Sequence, residues 1–301
     1  MEYHRPVLLE ESVEALAVKP DGVYVDVTFG GGGHSALIAS KLTDGKLYSF
    51  DQDRDAEEQS KKIESPVFQF VRANFRDLKK YLRLYRVNAV DGILADLGVS
   101  SHQFDVPDRG FSTRFDGPLD MRMNPEAEVS AKDVVATYSE EQLHRVLGIY
   151  GEVKNARTLA RTIVEKRAVR SIETIGDFKR AISSVTPKGK ENKYLAQVFQ
   201  ALRIEVNDEM KALEEMLEQT VEVLKPGGRL VVISYHSLED RMVKNFIAKG
   251  KFFGEVEKDL FGNEVKPLEA VNRKPITPTG QELLENTRSR SAKLRVAEKR
   301  D

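Results

Sequence analysis

The sequence contains no cysteine. That excludes a disulfide-stapled scaffold, a thiolate nucleophile and cysteine-ligated zinc. Histidine is scarce as well: His4, His34, His102, His144 and His236 form no H-x-x-x-H pair, so no structural metal is expected. No apolar run approaches the roughly 20 residues needed to cross a bilayer. The opening Met1-Glu2-Tyr3-His4-Arg5-Pro6 lacks the pattern of a secretion signal. The expectation is a cytoplasmic protein with no membrane partner. Net charge is nearly absent, 47 basic against 48 acidic residues giving −1, but the balance hides local excesses. From His144 to Lys193 there are 12 Lys and Arg against 5 Asp and Glu, and from Asn286 to Asp301 there are 6 against 2. Such stretches suit a polyanion, or else are solvated helix faces.

What is present is enough for a proper core: 301 residues, 40% of them apolar, predict one large α/β domain with an insertion, or two domains. The chain is organised around Gly22-Val23-Tyr24-Val25-Asp26-Val27-Thr28-Phe29-Gly30-Gly31-Gly32-Gly33-His34-Ser35. This reads as a buried strand, a tight glycine loop and the first turn of a helix, the opening half of a βαβ unit. Glycines there let the backbone approach a ligand and take up positive φ, and the N–H groups of the following helix face the strand's carboxyl end. Two cofactor readings compete. The dinucleotide fingerprint G-x-G-x-x-G fits Gly30 and Gly32 but meets Ser35 at its third position. The loop of S-adenosylmethionine methyltransferases, an acidic residue ending the strand and then a glycine cluster, fits Asp26 and Gly30 to Gly33.

The remaining pattern predicts a doubly wound, mostly parallel sheet. An amphipathic helix covers 7–18. Lys46 to Asp51 is the second strand, and Asp51, 21 residues after Gly30, is placed to accept hydrogen bonds from ribose hydroxyls. Val67 to Ala73 is the third and delivers Asn74-Phe75, an amide and a ring for an adenine, or ordinary core. Ala89 to Gly98 is the fourth, with Asp96 near its carboxyl end. In the order 3-2-1-4-5 the first and fourth strands flank the switch point where ligands bind, so Asp96 faces the reactive end of the cofactor. Helical periodicity without strands from Ala131 to Lys193 predicts an inserted all-helical domain. A long helix from Leu195 to Leu224, ended by Lys225-Pro226-Gly227-Gly228, returns the chain to a fifth strand, Arg229 to Ser234. After it, His236 is a candidate substrate contact or proton acceptor, while Ser237 with Asp240 reads as the N-cap of a helix over 238–249. Lys251 to Glu282 shows no assignable pattern, and Lys293 to Ala297 reads as a last strand. The domains expected are 1–110 with 205–301, and 111–204.

With these residues placed, the chain resembles the MraW/RsmH family of Rossmann-like S-adenosylmethionine (SAM) methyltransferases, which methylate the exocyclic N4 of a cytidine in small-subunit ribosomal RNA. The resemblance runs from His4-Arg5-Pro6-Val7-Leu8-Leu9 to Ser289-Arg290-Ser291-Ala292-Lys293-Leu294-Arg295. It is carried by Asp26 to Ser35, by Asp96-Leu97-Gly98-Val99-Ser100-Ser101-His102-Gln103 and by Arg109-Gly110-Phe111-Ser112. Further matches are Gly117-Pro118-Leu119-Asp120-Met121-Arg122-Met123, Phe199-Gln200-Ala201-Leu202-Arg203-Ile204 and Ile233 to Arg241.

The resemblance implies SAM as cofactor, held by Gly32, Gly33, His34, Asp51, Phe75, Asp96 and Gln103, and ribosomal RNA or the small subunit as partner. There are two departures. Lys193-Tyr194-Leu195-Ala196 stands where the family usually has His-Pro-Ala-Thr. Asp96-Leu97-Gly98-Val99 replaces the Asn/Asp-Pro-Pro-aromatic motif of amino-methyltransferases in general, so their substrate geometry does not transfer. A cytosine amine is a poor nucleophile, and an acceptor on its hydrogens would localise the lone pair and take the proton. Asp96 is the first candidate, with Asp120 and His236 behind it; alternatively Asp96 only orients the cofactor. Two other expectations are a non-catalytic RNA-binding assembly factor that keeps the fold, and an NAD-dependent oxidoreductase.

Overall fold

Near-continuous apolar runs such as Ile93-Leu94-Ala95 and Leu230-Val231-Val232-Ile233 are what strands buried on both faces require. They build five parallel strands: β1 (Val23–Asp26), β2 (Lys46–Asp51), β3 (Phe68–Arg72), β4 (Val90–Asp96) and β5 (Leu224–Ser234). After them come the short hairpin of β6 (Glu257–Lys258) and β7 (Glu264–Val265), then β8 (Leu268–Ala270) and β9 (Lys293–Lys299). The main sheet has the order β3-β2-β1-β4-β5-β9-β8, with β9 antiparallel to both β5 and β8. This is the doubly wound arrangement that the sequence predicts, extended at one edge.

The computed structural model describes residues 6–301, so His4 and Arg5 lie outside the described residues. The chain divides into two units. The first runs to Gly98 and resumes at Met210; the second is Val99–Glu209. The first holds the sheet, with one apolar cluster around Phe50, Ile93, Leu230 and Phe246 and another around Leu16, Tyr24, Ile38 and Leu294. In the second, helices Ala131–Thr137, Glu140–Ile149, Ala156–Val169, Ile175–Ile182 and Glu191–Asn207 close on Val134, Leu147, Ile163, Phe178 and Leu202. Ser130, Ser139 and Thr174 start three of these helices with capping boxes, each satisfying two otherwise orphaned backbone donors. No helix among the described residues is long and apolar enough to cross a membrane.

Three expectations are corrected. The single helix over 195–224 is two, Glu191–Asn207 and Glu209–Val223, broken at Asp208, whose φ of 48° is left-handed. Asn207 turns its side chain to the distant segment 121–123 there, accepting from the Met123 amide and donating to the Met121 carbonyl. The fifth strand begins at Leu224, and Lys225-Pro226-Gly227-Gly228 forms a bulge within it: Val90 pairs with Leu224 but Gly92 with Arg229. Finally, the N-cap of helix Ser237–Lys249 is His236, whose Nδ1 accepts from the Glu239 amide at 3.4 Å. Asp240 instead accepts from Lys293 and Arg295 of β9, which hold its carboxyl below the usual range against the opposing effect of burial.

Candidate active site

Three carboxylates, Asp51, Asp26 and Asp96, end the three neighbouring parallel strands β2, β1 and β4. Burial pushes all three up, Asp26 and Asp51 to about 6 and Asp96 to about 7. Repulsion from Asp26 adds to the rise at the other two. They differ in what already occupies them.

Asp26 is fully buried and satisfied from within. Its Oδ1 accepts from the Thr28 amide at 3.0 Å, and its Oδ2 accepts from the Ser35 hydroxyl at 2.6 Å, which lies 2.7 Å from the Ser49 hydroxyl. Ser35 therefore stands where a dinucleotide fingerprint has glycine because its hydroxyl ties the helix Gly33–Ser40 to β1 and β2. Ser35→Ala is expected to destabilise the fold by about 1–3 kcal/mol at pH 8, as a buried carboxylate loses a donor. The loss should shrink at pH 5, where the Asp26 carboxyl keeps its proton in the folded state. Calorimetric unfolding at the two pH values checks it.

Asp51 holds the glycine loop. Its Oδ2 accepts from the Gly30 amide at 2.8 Å and its Oδ1 from the Asp53 amide at 2.9 Å. Each oxygen retains a further lone pair for a ligand hydroxyl. In the loop, Gly32 has a φ of 81°, and a Cβ on Gly33 would stand 2.2 Å from Pro6 Cγ. Both positions require glycine through the protein's own packing.

His34, next along the helix, is buried, and its Nε2 has no hydrogen-bond partner among the described residues. Burial lowers its pKa to about 4, so the imidazole is neutral. An unpartnered buried nitrogen beside a glycine loop is what a site completed by a polar ligand leaves behind.

Asp96 is placed differently. Its amide donates to the Thr28 hydroxyl at 2.6 Å, its Oδ1 accepts from the Tyr235 phenol at 2.7 Å, and its Oδ2 lies 3.8 Å from His34 Nδ1. With 22% of its side chain exposed, it keeps an oxygen that a ligand can reach. Tyr235, which sequence reasoning passed over, is the missed member of this group.

Other predicted residues have structural occupations. Phe75 is half-buried against the sheet core and opens a 3-10 turn capped by Asn74, which accepts from the Arg76 amide and donates to Gln52. His236 caps its helix and sets Nε2 3.1 Å from Glu239 Oε1. Two predicted residues lie in the second unit. Gln103 is buried and forms a capping box with Ser100. Asp120 grips the Arg122 guanidinium in two bonds, of 2.9 and 2.6 Å, and also accepts from its amide.

A glycine loop after β1, an acid with spare acceptor capacity at the end of β2 and a reachable carboxylate at the end of β4 lie at the switch point where doubly wound enzymes bind their ligands. The residue pattern of the MraW methylase family matches residues 1–300. The "Ribosomal RNA small subunit methyltransferase H" of Cytophaga hutchinsonii is 57% identical over 297 residues, covering 99% of both chains. The protein of the same name from Parabacteroides distasonis is 59% identical over 299 residues, covering 99% of this chain and 97% of the other. The chain belongs to the MraW methylase family, and its methyl donor is S-adenosylmethionine. The oxidoreductase alternative gives way to that membership.

Proposed function

We propose that the protein methylates the exocyclic N4 of a cytidine in small-subunit ribosomal RNA. The observation that carries this reading is Asp96: an acceptor-only carboxylate at the switch point, one oxygen held by Tyr235 and the other reachable. When bound, S-adenosylmethionine supplies an electrophilic methyl group on a positively charged sulfur. The protein's own residues then have distinct tasks. Asp51 would receive the ribose hydroxyls, and the glycine loop with Gly32, Gly33 and His34, together with Phe75, would hold the rest of the donor. Asp96 would accept a hydrogen bond from the amine, localise its lone pair and take the proton as the N–C bond forms and the donor's S–C bond breaks, its electron pair staying on sulfur to leave a neutral thioether. A carboxyl held at about 7 by burial suits that transfer near neutral pH. Asp120 and His236 rank behind it because Asp120 already holds the Arg122 guanidinium and His236 already caps its helix through Nδ1.

Substrate recognition falls to the second unit. Its Lys154, Arg157, Lys166, Lys188, Lys190 and Lys193 are exposed, cations available to RNA phosphates. The ribosomal substrate is supported by the names of relatives at 57% and 59% identity over nearly their whole length. The target base leaves its stack to reach Asp96, as enzymes acting on a base within paired nucleic acid require.

The test is to incubate the protein with methyl-labelled donor and either small subunits or naked ribosomal RNA from cells lacking it, then to identify the labelled nucleoside by mass spectrometry. N4-methylcytidine is expected. Label on a ring carbon or a ribose oxygen, or no label from either substrate, overturns the reading.

A further inference from the structure

We infer that Tyr235 is a positioning residue for the methyl transfer: its phenol pins Oδ1 of Asp96, so that Oδ2 alone is presented to the incoming amine. The inference rests on the reading of Asp96 as proton acceptor. Three observations carry it.

The first is geometric. The phenol donates to Oδ1 at 2.7 Å, whereas Oδ2 has no hydrogen bond among the described residues and lies 3.8 Å from His34 Nδ1. A carboxylate held by one oxygen no longer spins freely about its χ2 torsion, so the other oxygen keeps one aim.

The second is that Tyr235 is itself held at both ends. Its amide donates to Glu239 Oε2 at 2.9 Å, and its ring packs against the cluster that contains Ile233 and Leu294. Glu239 in turn sits on the helix whose N-cap is His236. This gives the Ile233 to Arg241 stretch a task beyond starting a helix: it carries the phenol to the end of β4.

The third is electrostatic. The groups acting on Asp96 come from every side: Asp26 from β1, Glu239 from helix Ser237–Lys249, the neutral His34 from helix Gly33–Ser40, and Tyr235. Asp26 and Glu239 disfavour its charge, and the phenol alone favours it. The phenol's own proton is secure. Burial first, then the negative charges of Asp96, Glu239 and Glu282, raise its pKa well above the ordinary tyrosine value, so it donates at every working pH.

The test is Tyr235→Phe, which keeps the ring and removes the donor. In cofactor-free protein, a carbon-13 NMR titration of the Asp96 carboxyl, assigned by its loss in Asp96→Asn, should shift upward by about one pH unit. Turnover at pH 7 should fall about fivefold and recover towards pH 9, because the acid limb of the profile moves up by about one pH unit from the wild-type value of about 7. The dissociation constant for S-adenosylmethionine should stay unchanged. Fluorotyrosine at position 235, a stronger donor that preserves the packing, should move the titration the other way, and keeps the inference testable if the phenylalanine variant folds poorly.

An Asp96 titration that neither substitution moves, or a turnover loss equal at every pH, overturns the role of Tyr235. Retained turnover in Asp96→Asn overturns instead the reading beneath it, whatever the phenylalanine variant does. Full loss in Asp96→Asn together with a wild-type profile in Tyr235→Phe removes only the inference drawn here.

Discussion

Asp96→Asn is expected to lower turnover by about 10²- to 10⁴-fold, the usual contribution of a positioned general base, while the affinity for S-adenosylmethionine remains close to that of the wild type. Asparagine is nearly isosteric and keeps an acceptor for the Tyr235 phenol, so the geometry around Oδ1 survives. What changes is the reachable end, where an oxygen that accepts becomes an amide nitrogen that donates and so opposes the amine it should receive.

The same substitution should stabilise the cofactor-free protein, and the sign follows from linkage. The Asp96 carboxyl titrates at about 7 when folded and near 3.8 when free, so between these values the folded state holds the extra proton. Its contribution to stability therefore falls as pH rises from about 4 to about 7, and asparagine escapes that fall. The melting temperature of the variant should gain on the wild type across this window and hold its lead above it. Isothermal calorimetry, single-turnover methylation and thermal melts separate the three effects. Loss of donor binding in Asp96→Asn would show that the carboxylate serves the cofactor and not the amine.

The second large effect is expected at Asp51. Asp51→Ala removes the acceptor of the Gly30 amide together with the lone pairs available to the ribose. Two charge-assisted hydrogen bonds at about 1.5–3 kcal/mol each place the loss of donor affinity at roughly 10²- to 10⁴-fold. In the wild type, the Asp51 carboxyl titrates at about 6 without ligand, and hydroxyl donors favour its charged form. Affinity should therefore be full above pH 7 and decline as pH falls through 6. Asp51→Ala should lack that contribution to the decline. Dissociation constants measured from pH 5 to pH 8 check both statements, and an alanine variant with wild-type affinity would remove Asp51 from the site.

Much of this was legible in the sequence because the relevant signals are local. A β-branched run that stops at four glycines can hardly be other than a strand entering a tight loop, and β2 and β4 each bring an aspartate to the same end of the sheet. The illegible parts depend on single torsions or on distant partners. The apolar period of 195–224 continues across Asp208, so one left-handed residue leaves no trace in it. His236 escapes as an N-cap because an imidazole is outside the usual set of capping side chains. Ser35 reads as a defect in a glycine motif until Asp26 and Ser49 are seen around it. Tyr235 stands 139 residues from Asp96, and no spacing rule reaches that far.

The bond from the Asp96 amide to the Thr28 hydroxyl reaches beyond architecture. Thr28 belongs to the segment that leads into the glycine loop and is steadied by Asp26, so the backbone that aims the carboxylate hangs on the backbone that receives the donor. If donor binding steadies that segment, the amine should bind more tightly after it, and by reciprocity the factor would be the same in either order of arrival.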